Sequence, residues 1–242
     1  MANAIRENFM NILALNSSPR ENETSKTELV LQKFLEGAKR AGAVAETLYL
    51  RNYKINHCLG CYGCWVQTPG RCIQKDDMSE VLFDRYLAAD LVVLASPIYH
   101  ATMNARMKLF VERTLPMMDP LKETSEAGGI PHRFEKMPRV VTLSVCGFWD
   151  PAMFQALSMT WRMCLGNDLV AEIYRHSAEF LSIPEFQPQA QAILDAVAQA
   201  GEEVVRQGQV TPATLAALAQ DLAPGETLAR LLREFWSQSA TG

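Results

Sequence analysis

The chain has 242 residues, 48% of them apolar, and a formal charge of −4 at pH 7. That is enough chain for one large core and short for two, and the weak negative charge argues against a surface for nucleic acid or anionic membrane. No run approaches the eighteen apolar residues of a membrane-spanning helix and residues 1–8 lack an apolar signal core, so we expect a cytoplasmic protein.

Residues 12–15 (Ile-Leu-Ala-Leu) form the short apolar run of a buried strand. Polar, hydroxyl-rich residues 16–27 follow. A helix comes next, with Leu29, Val30, Phe34, Leu35 and Ala38 on one face and Gly42 as its stop. A strand that turns directly into a helix leaves unpaired backbone N–H groups near one spot, and the helix dipole adds partial positive charge there. Ser17, Ser18, Thr24, Ser25 and Thr27 add donors, and Arg20 and Lys26 add charge. The combination predicts an anion site, most simply for a phosphate. Neither G-x-x-x-x-G-K-[ST] nor G-x-G-x-x-G is present. Hydroxyls and an arginine stand in place of glycines, which suits a phosphate monoester such as the ribityl phosphate of FMN. An ordinary capped helix behind a polar loop fits the spacing equally well.

Residues 45–50 read as a second strand. The long loop 51–75 follows, and Asp76 and Asp77 then open a helix with Met78, Val81, Leu82, Tyr86 and Ala89 on one face. Two acids at a helix start read as caps. Residues 91–95 (Leu-Val-Val-Leu-Ala) carry no polar alternation, as expected of a parallel strand covered on both faces. They lead into Ser96, Pro97, Ile98, Tyr99, His100 and, further on, Asn104. Met103, Met107, Phe110 and Val111 mark the next helix, the methionines as core filling. Residues 116–138, with Gly128 and Gly129, form a long excursion of the kind that makes lids or interface arms. Residues 140–145 resume the strand pattern and end in Cys146, Gly147, Phe148, Trp149 and Asp150. A helix over 151–165 and a fifth strand over 169–174 complete the alternation. From Gln187 the composition shifts to Ala, Gln, Leu and Val, predicting a helix to about Arg206 stopped by Gly208. Helices over 212–220 and 225–236 follow, the last with Leu228, Leu231, Leu232 and Phe235 on one side.

Alternating strand and helix predicts an α/β fold: a doubly wound, five-stranded parallel sheet in the order 2-1-3-4-5. One domain spans residues 1–184, and C-terminal helices over 185–242 pack on it or on a partner subunit. Such sheets take ligands at the carboxyl ends of their strands. Loops 16–27, 96–104 and 146–150 gather there. The first suits a phosphate, and the aromatic content of the others suits a flat ring.

Four of the six cysteines fall within fifteen residues, spaced C-x2-C-x2-C-x7-C: Cys58, Cys61, Cys64 and Cys72. The chain is neither small nor visibly secreted, which argues against a disulfide scaffold. Three thiolates at intervals of three can wrap one corner of an inorganic core, and Gly60 and Gly63 let backbone approach it, so a [4Fe–4S] cluster is the first reading. A zinc site, a CxxC redox pair and free thiols remain alternatives. Cys146 and Cys164 read as core residues. His57, His100, His132 and His176 show no ligand spacing.

These features together resemble the flavodoxin-like, NADPH-dependent FMN reductase family: Ser17-Ser18-Pro19-Arg20 before Thr24-Ser25, the cysteine run leading into Asp76-Asp77-Met78, and Ser96-Pro97-Ile98-Tyr99 with Lys108 nine residues on. The cysteine pattern resembles its iron–sulfur flavoprotein branch. The likeness covers roughly residues 9–180. It departs from the family at Glu23-Thr24-Ser25, where Gly-Asn-Thr is usual, and in the long gap before Cys72. The resemblance implies FMN, its phosphate held by Ser18, Arg20, Thr24, Ser25 and Lys26. It implies a ring beside Pro97, Ile98, Tyr99, His100 and Asn104, with Gly147 and Phe148 on another side. It also implies a homodimer or homotetramer with flavin and cluster near a subunit interface. Three functions follow as expectations. The first is an FMN-dependent electron-transfer oxidoreductase with a cluster, drawing on NAD(P)H or a ferredoxin-like protein and reducing a small-molecule acceptor. The second is a cluster-free NAD(P)H-dependent FMN or quinone reductase. The third is a non-enzymatic thiol or zinc redox sensor. In the first two the cofactors carry the chemistry, so no acid–base triad is expected.

Overall fold

The computed structural model describes residues 9–21, 24–123 and 131–239. Glu23, Gly128, Gly129 and the segment 1–8 lie outside the described residues, as does the side chain of Phe235. In chain order the elements are β1 (Asn11–Asn16), α1 (Lys26–Arg40), β2 (Val44–Tyr49), the single turn α2 (Gly63–Val66), α3 (Phe83–Ala88) and β3 (Leu91–Tyr99). Then come β4 (Thr102–Met103), α4 (Ala105–Glu112), β5 (Arg139–Val145), α5 (Gln155–Leu165), β6 (Leu169–Arg175), α6 (Gln187–Gln207), α7 (Pro212–Leu218) and α8 (Gly225–Ser239).

Five parallel strands lie in the order β2-β1-β3-β5-β6. This is the expected topology, with one extra element. β3 runs through Ser96 and Pro97 to Tyr99, and two-residue β4 folds back antiparallel on its end, Ile98 opposite Met103 and Tyr99 opposite Thr102. The connecting pair, His100 (φ 47°) and Ala101 (φ 63°), makes a tight hairpin in the left-handed region. Such turns usually draw Asn-Gly, so neither residue signals it.

Successive residues of β1 face opposite layers. Ile12 and Ala14 join the core under α1 and α6; Leu13 and Leu15 join the core under α3, α4 and α5. α1 contributes Val30, Phe34 and Leu35 to the first layer, and α6 contributes Ile193, Val197 and Val204. The two helices meet at glycines. A Cβ on Gly37 would fall 1.7 Å from the Ala198 carbonyl oxygen, and one on Gly201 would fall 2.0 Å from that of Phe34. α8 adds Leu228 and Leu232 to this same layer. Among the described residues no helix is long and apolar enough to cross a membrane.

Two local readings are corrected. Cys164 is exposed, not core. The buried residues of α5 are Leu157 and Trp161, and Cys164 falls at the wall of a cavity near the helix end. Asp76 caps as expected, its carboxylate accepting from the Ser79 N–H at 3.2 Å, but Asp77 does not. The segment Met78–Leu82 is a π turn with no side-chain cap from Asp77, whose carboxylate accepts instead from the Lys54 N–H at 2.6 Å. Asp76 is buried against Arg113.

Candidate functional site

At the carboxyl rim of the sheet the loops are tied to one another by buried polar groups. The Ser17 N–H donates to the Ala95 carbonyl at 2.9 Å. The Ser144 hydroxyl donates to the Ser96 carbonyl at 2.6 Å. Asn104 accepts from the Met107 N–H and so caps α4, while its amide donates to the Ser17 carbonyl at 2.7 Å. Asn104, expected beside a ring, is thus a buried tie between two loops. Ser25 plays a similar part. Its hydroxyl accepts from the Glu28 N–H as the N-cap of α1 and donates to the Ser18 hydroxyl at 2.9 Å.

One cleft runs along this rim. Ser18, Arg20, Lys26 and Thr27 line one end, and Pro97, Ile98, Tyr99 and Gly147 line the other. Thr27 is 2% exposed and lines the cleft from the first turn of α1. A hydroxyl at a helix N-terminus fits an anion. Arg20 forms a 2.9 Å ion pair with Glu179, and the Lys26 ammonium donates to the Ser182 hydroxyl at 2.7 Å. Both partners come from the loop after β6, which carries no motif; only the adjacency of β6 and β5 predicts its presence here. Thr24 donates its hydroxyl to the Glu21 carbonyl and does not line the cleft. His100 sits exposed at the hairpin tip, and Phe148 is exposed outside the cleft wall, tilted against Trp149. Cys146, beneath the rim, is buried, and burial pushes its thiol pKa up.

The cysteine loop forms a second constellation. Cys64 is buried, Cys58 and Cys72 are half-buried, and Cys61 is exposed. Burial pushes the Cys64 thiol pKa up, and Cys72, Cys58 and Cys61 each add to the rise. Each of the other three sulfurs is thus within electrostatic reach of Cys64. Among the described residues, however, no three Cys, His, Asp or Glu side chains converge in a metal-holding arrangement.

Both ends of the loop are held at one buried guanidinium. Arg113 donates to Asp76 at 2.6 and 3.0 Å, to the Asn56 carbonyl at 2.9 Å and to the Ser79 hydroxyl at 2.9 Å. The Asn56 N–H donates to Asp76 at 2.8 Å. Burial pushes the Asp76 carboxyl up, but the Arg113 and Asn56 hydrogen bonds outweigh it and hold the pKa below the ordinary value. Arg113 Nε has no hydrogen-bond partner among the described residues, nor do Arg133 Nε and one Arg133 terminal nitrogen, all three buried. Cys72 acts electrostatically on Arg113, and the Arg133 side chain lies 3.0 Å from where a Cβ on Gly70 would be. Two guanidiniums with N–H groups to spare thus flank the cysteines.

Residues 10–125 match the profile of a family described as NADPH-dependent FMN reductase. An iron–sulfur flavoprotein of Archaeoglobus fulgidus is 35% identical over 107 residues, 44% of this chain and 46% of that protein. One from Methanosarcina thermophila is 29% identical over 106 residues, 44% of this chain and 53% of that protein. The chain spans about half the length of these curated relatives. Among solved structures, an NAD(P)H:quinone oxidoreductase from Methanothermobacter marburgensis superposes with a TM-score of 0.60 at 17% identity, covering 81% of this chain and 96% of that one. An FMN-dependent NADH-azoreductase from Bacillus anthracis, solved with FMN, superposes with a TM-score of 0.58 at 16% identity over 82% of this chain and all of that one. At those identities the superpositions establish the fold.

Proposed function

We propose that this chain, which over residues 10–125 belongs to the NADPH-dependent FMN reductase family, is an FMN-dependent electron-transfer oxidoreductase that also carries a [4Fe–4S] cluster. The observation behind the flavin is the rim cleft, which joins an anion-ready helix start to an apolar shelf. Thr27, Ser18, Arg20 and Lys26 would hold the phosphate, with Ser25 fixing Ser18 and the helix start. Pro97, Ile98 and Tyr99 would face the ring, and Gly147 leaves room opposite. Bound FMN supplies two-electron chemistry and a cluster one-electron chemistry, so the pair converts between carriers.

Cys58, Cys61, Cys64 and Cys72 would hold the cluster. Support comes from their spacing and from the spare N–H groups of Arg113 and Arg133, since a core ligated by four thiolates is anionic and takes such donors. NAD(P)H or a ferredoxin-like protein is the proposed donor, a small molecule the acceptor, and a homodimer or homotetramer the assembly. A second reading keeps FMN and leaves the cysteines as thiols, as in an NAD(P)H-dependent flavin or quinone reductase. All four are free thiols here, with Cys61 exposed, which fits it.

Protein purified without oxygen should show flavin absorbance and a broad shoulder that dithionite bleaches, with iron and acid-labile sulfide in equal amounts. Flavin without iron supports the second reading; absence of both overturns the proposal. Arg20→Ala should weaken FMN binding about tenfold, because the lost contact is a charge-assisted hydrogen bond at a half-exposed site. An unchanged dissociation constant in a flavin-fluorescence titration would remove Arg20 from the site.

A further inference from the structure

One wall of the rim cleft is the loop after β6, which brings Glu179 into the lining. Two backbone bonds fix that loop to the one after β5. The Ser177 N–H donates to the Phe148 carbonyl at 2.7 Å, and the Ala178 N–H donates to the Cys146 carbonyl at 2.9 Å. Three residues beyond Glu179, the Lys26 ammonium donates to the Ser182 hydroxyl at 2.7 Å. Glu179 therefore stands on backbone that is anchored on both sides.

Its side chain runs along the cleft. The Cγ methylene packs against Gly147, 3.4 Å from where a Cβ there would be, and the carboxylate meets Arg20 at 2.9 Å. Gly147 belongs to the apolar shelf and Arg20 to the anion end. Half-buried Glu179 thus spans the middle of the cleft. One guanidinium nitrogen serves it, and an arginine presents five N–H groups in a planar fork, so Arg20 can face an anion with the others. A carboxylate accepts hydrogen bonds and donates none. Beside a cation meant for a phosphate it weakens that end by like charge. Donors in the middle of the ligand account for its presence.

On the flavin reading above, we infer that Glu179 recognises the polyol chain of the ligand, its carboxylate accepting from the hydroxyls of the ribityl linker between phosphate and ring. An alkyl chain of equal length offers no donor. It would cover the carboxylate without replacing the water it displaces, and stranding a charged acceptor costs more than the lost bond alone. Neither the phosphate contacts nor the shelf can make this distinction. Glu179 is therefore the specificity residue for the linker, as Arg20 is for the phosphate.

The test compares two ligands that share one ring and one phosphate: FMN, and a flavin carrying a phosphopentyl chain in place of the ribityl phosphate. Each is titrated into the full chain freed of flavin and followed by flavin fluorescence. The parent should bind FMN about tenfold more tightly than the alkyl analogue. Repulsion between Glu179 and the phosphate is common to both ligands and cancels in the ratio. Glu179→Ala should erase the preference. Glu179→Gln, which keeps one acceptor oxygen at the same reach, should retain about threefold. No preference in the parent overturns the inference and leaves the flavin reading standing. So does a full preference in Glu179→Ala, including the case where both affinities fall together, which would make Glu179 only a brace for Arg20. Should Glu179→Ala not fold, a full preference in Glu179→Gln has the same force. A parent that binds neither ligand overturns the flavin reading as well.

Discussion

Replacing Asp76 by alanine is expected to destabilise the protein by about 3–5 kcal/mol, because it strands a buried guanidinium. Asp76 and Arg113 are 0% and 1% exposed as side chains, so solvent screening does not soften the loss. The same change removes the acceptor for the Asn56 N–H and loosens the loop at its first residue. Urea unfolding measures the first effect; faster proteolysis between residues 57 and 75 measures the second. Asp76→Leu combined with Arg113→Met should recover much of the loss, since two apolar groups leave no buried charge. If Asp76→Ala costs under about 1 kcal/mol, the pair behaves like a surface salt bridge and the clamp is misjudged.

The pair also gives the acid limb of stability a defined sign. The Asp76 pKa is depressed in the folded state below its ordinary value of 3.8. Its contribution is therefore complete above that value and is lost as the pH falls through the folded pKa. Below about pH 3.8 the stability of Asp76→Asn should fall less steeply than that of the parent.

Gly201→Ala should lower stability by about 3 kcal/mol, although alanine is the better helix former by about 1 kcal/mol. The added methyl would sit 2.0 Å from the Phe34 carbonyl oxygen and 2.9 Å from the Ala38 nitrogen. Neither is a flexible side-chain end, so α1 and α6 must move apart and open the layer that holds Val30, Phe34 and Val197. A fall in melting temperature of about 6–12 °C is the expected signature for a chain of this size. Gly42→Ala is the control for helix α1: nothing lies within 4 Å of its Cβ position, and any loss there comes from its φ of +94° alone. A Gly201→Ala melt at or above the parent value would mean the two backbones are not in contact.

Much of this architecture is legible from periodicity. Three apolar runs become the central strands β1, β3 and β5 because buried parallel strands have no polar face to disguise them, while the edge strands β2 and β6 carry polar, part-exposed residues and are legible mainly from their place in the alternation. The end of β3 is hidden because Ser96 and Pro97 read as punctuation, yet Pro97 sits near the strand end opposite Val145, where its missing N–H matters little. The hairpin through His100 and Ala101 is hidden because neither residue advertises a positive φ.

At the site, local spacing identifies Ser18, Arg20 and Lys26, but the choice between Thr24 and Thr27 depends on where α1 begins. With Ser25 as the cap, Thr27 falls in the first turn and lines the cleft, while Thr24 precedes the cap and bonds backward. Glu179 and Ser182 arrive from more than 150 positions away and need the strand order to be seen. The partner of Asp76 is likewise invisible locally, since Arg113 lies 37 positions on. Asp76 is both the cap its position suggests, through the Ser79 N–H, and a counter-ion that only the fold reveals.

The clamp on the cysteine loop also bears on the order of events when the thiols meet a metal. Loop-closure entropy is a main obstacle to gathering ligands from a flexible segment. Here Asn56 and Asp76 converge through groups that owe nothing to sulfur, so ring closure accompanies chain folding. If the proposed cluster forms, its thiols would have to converge only within a loop whose ends are already joined, unlike a zinc finger that stays unfolded until its metal arrives.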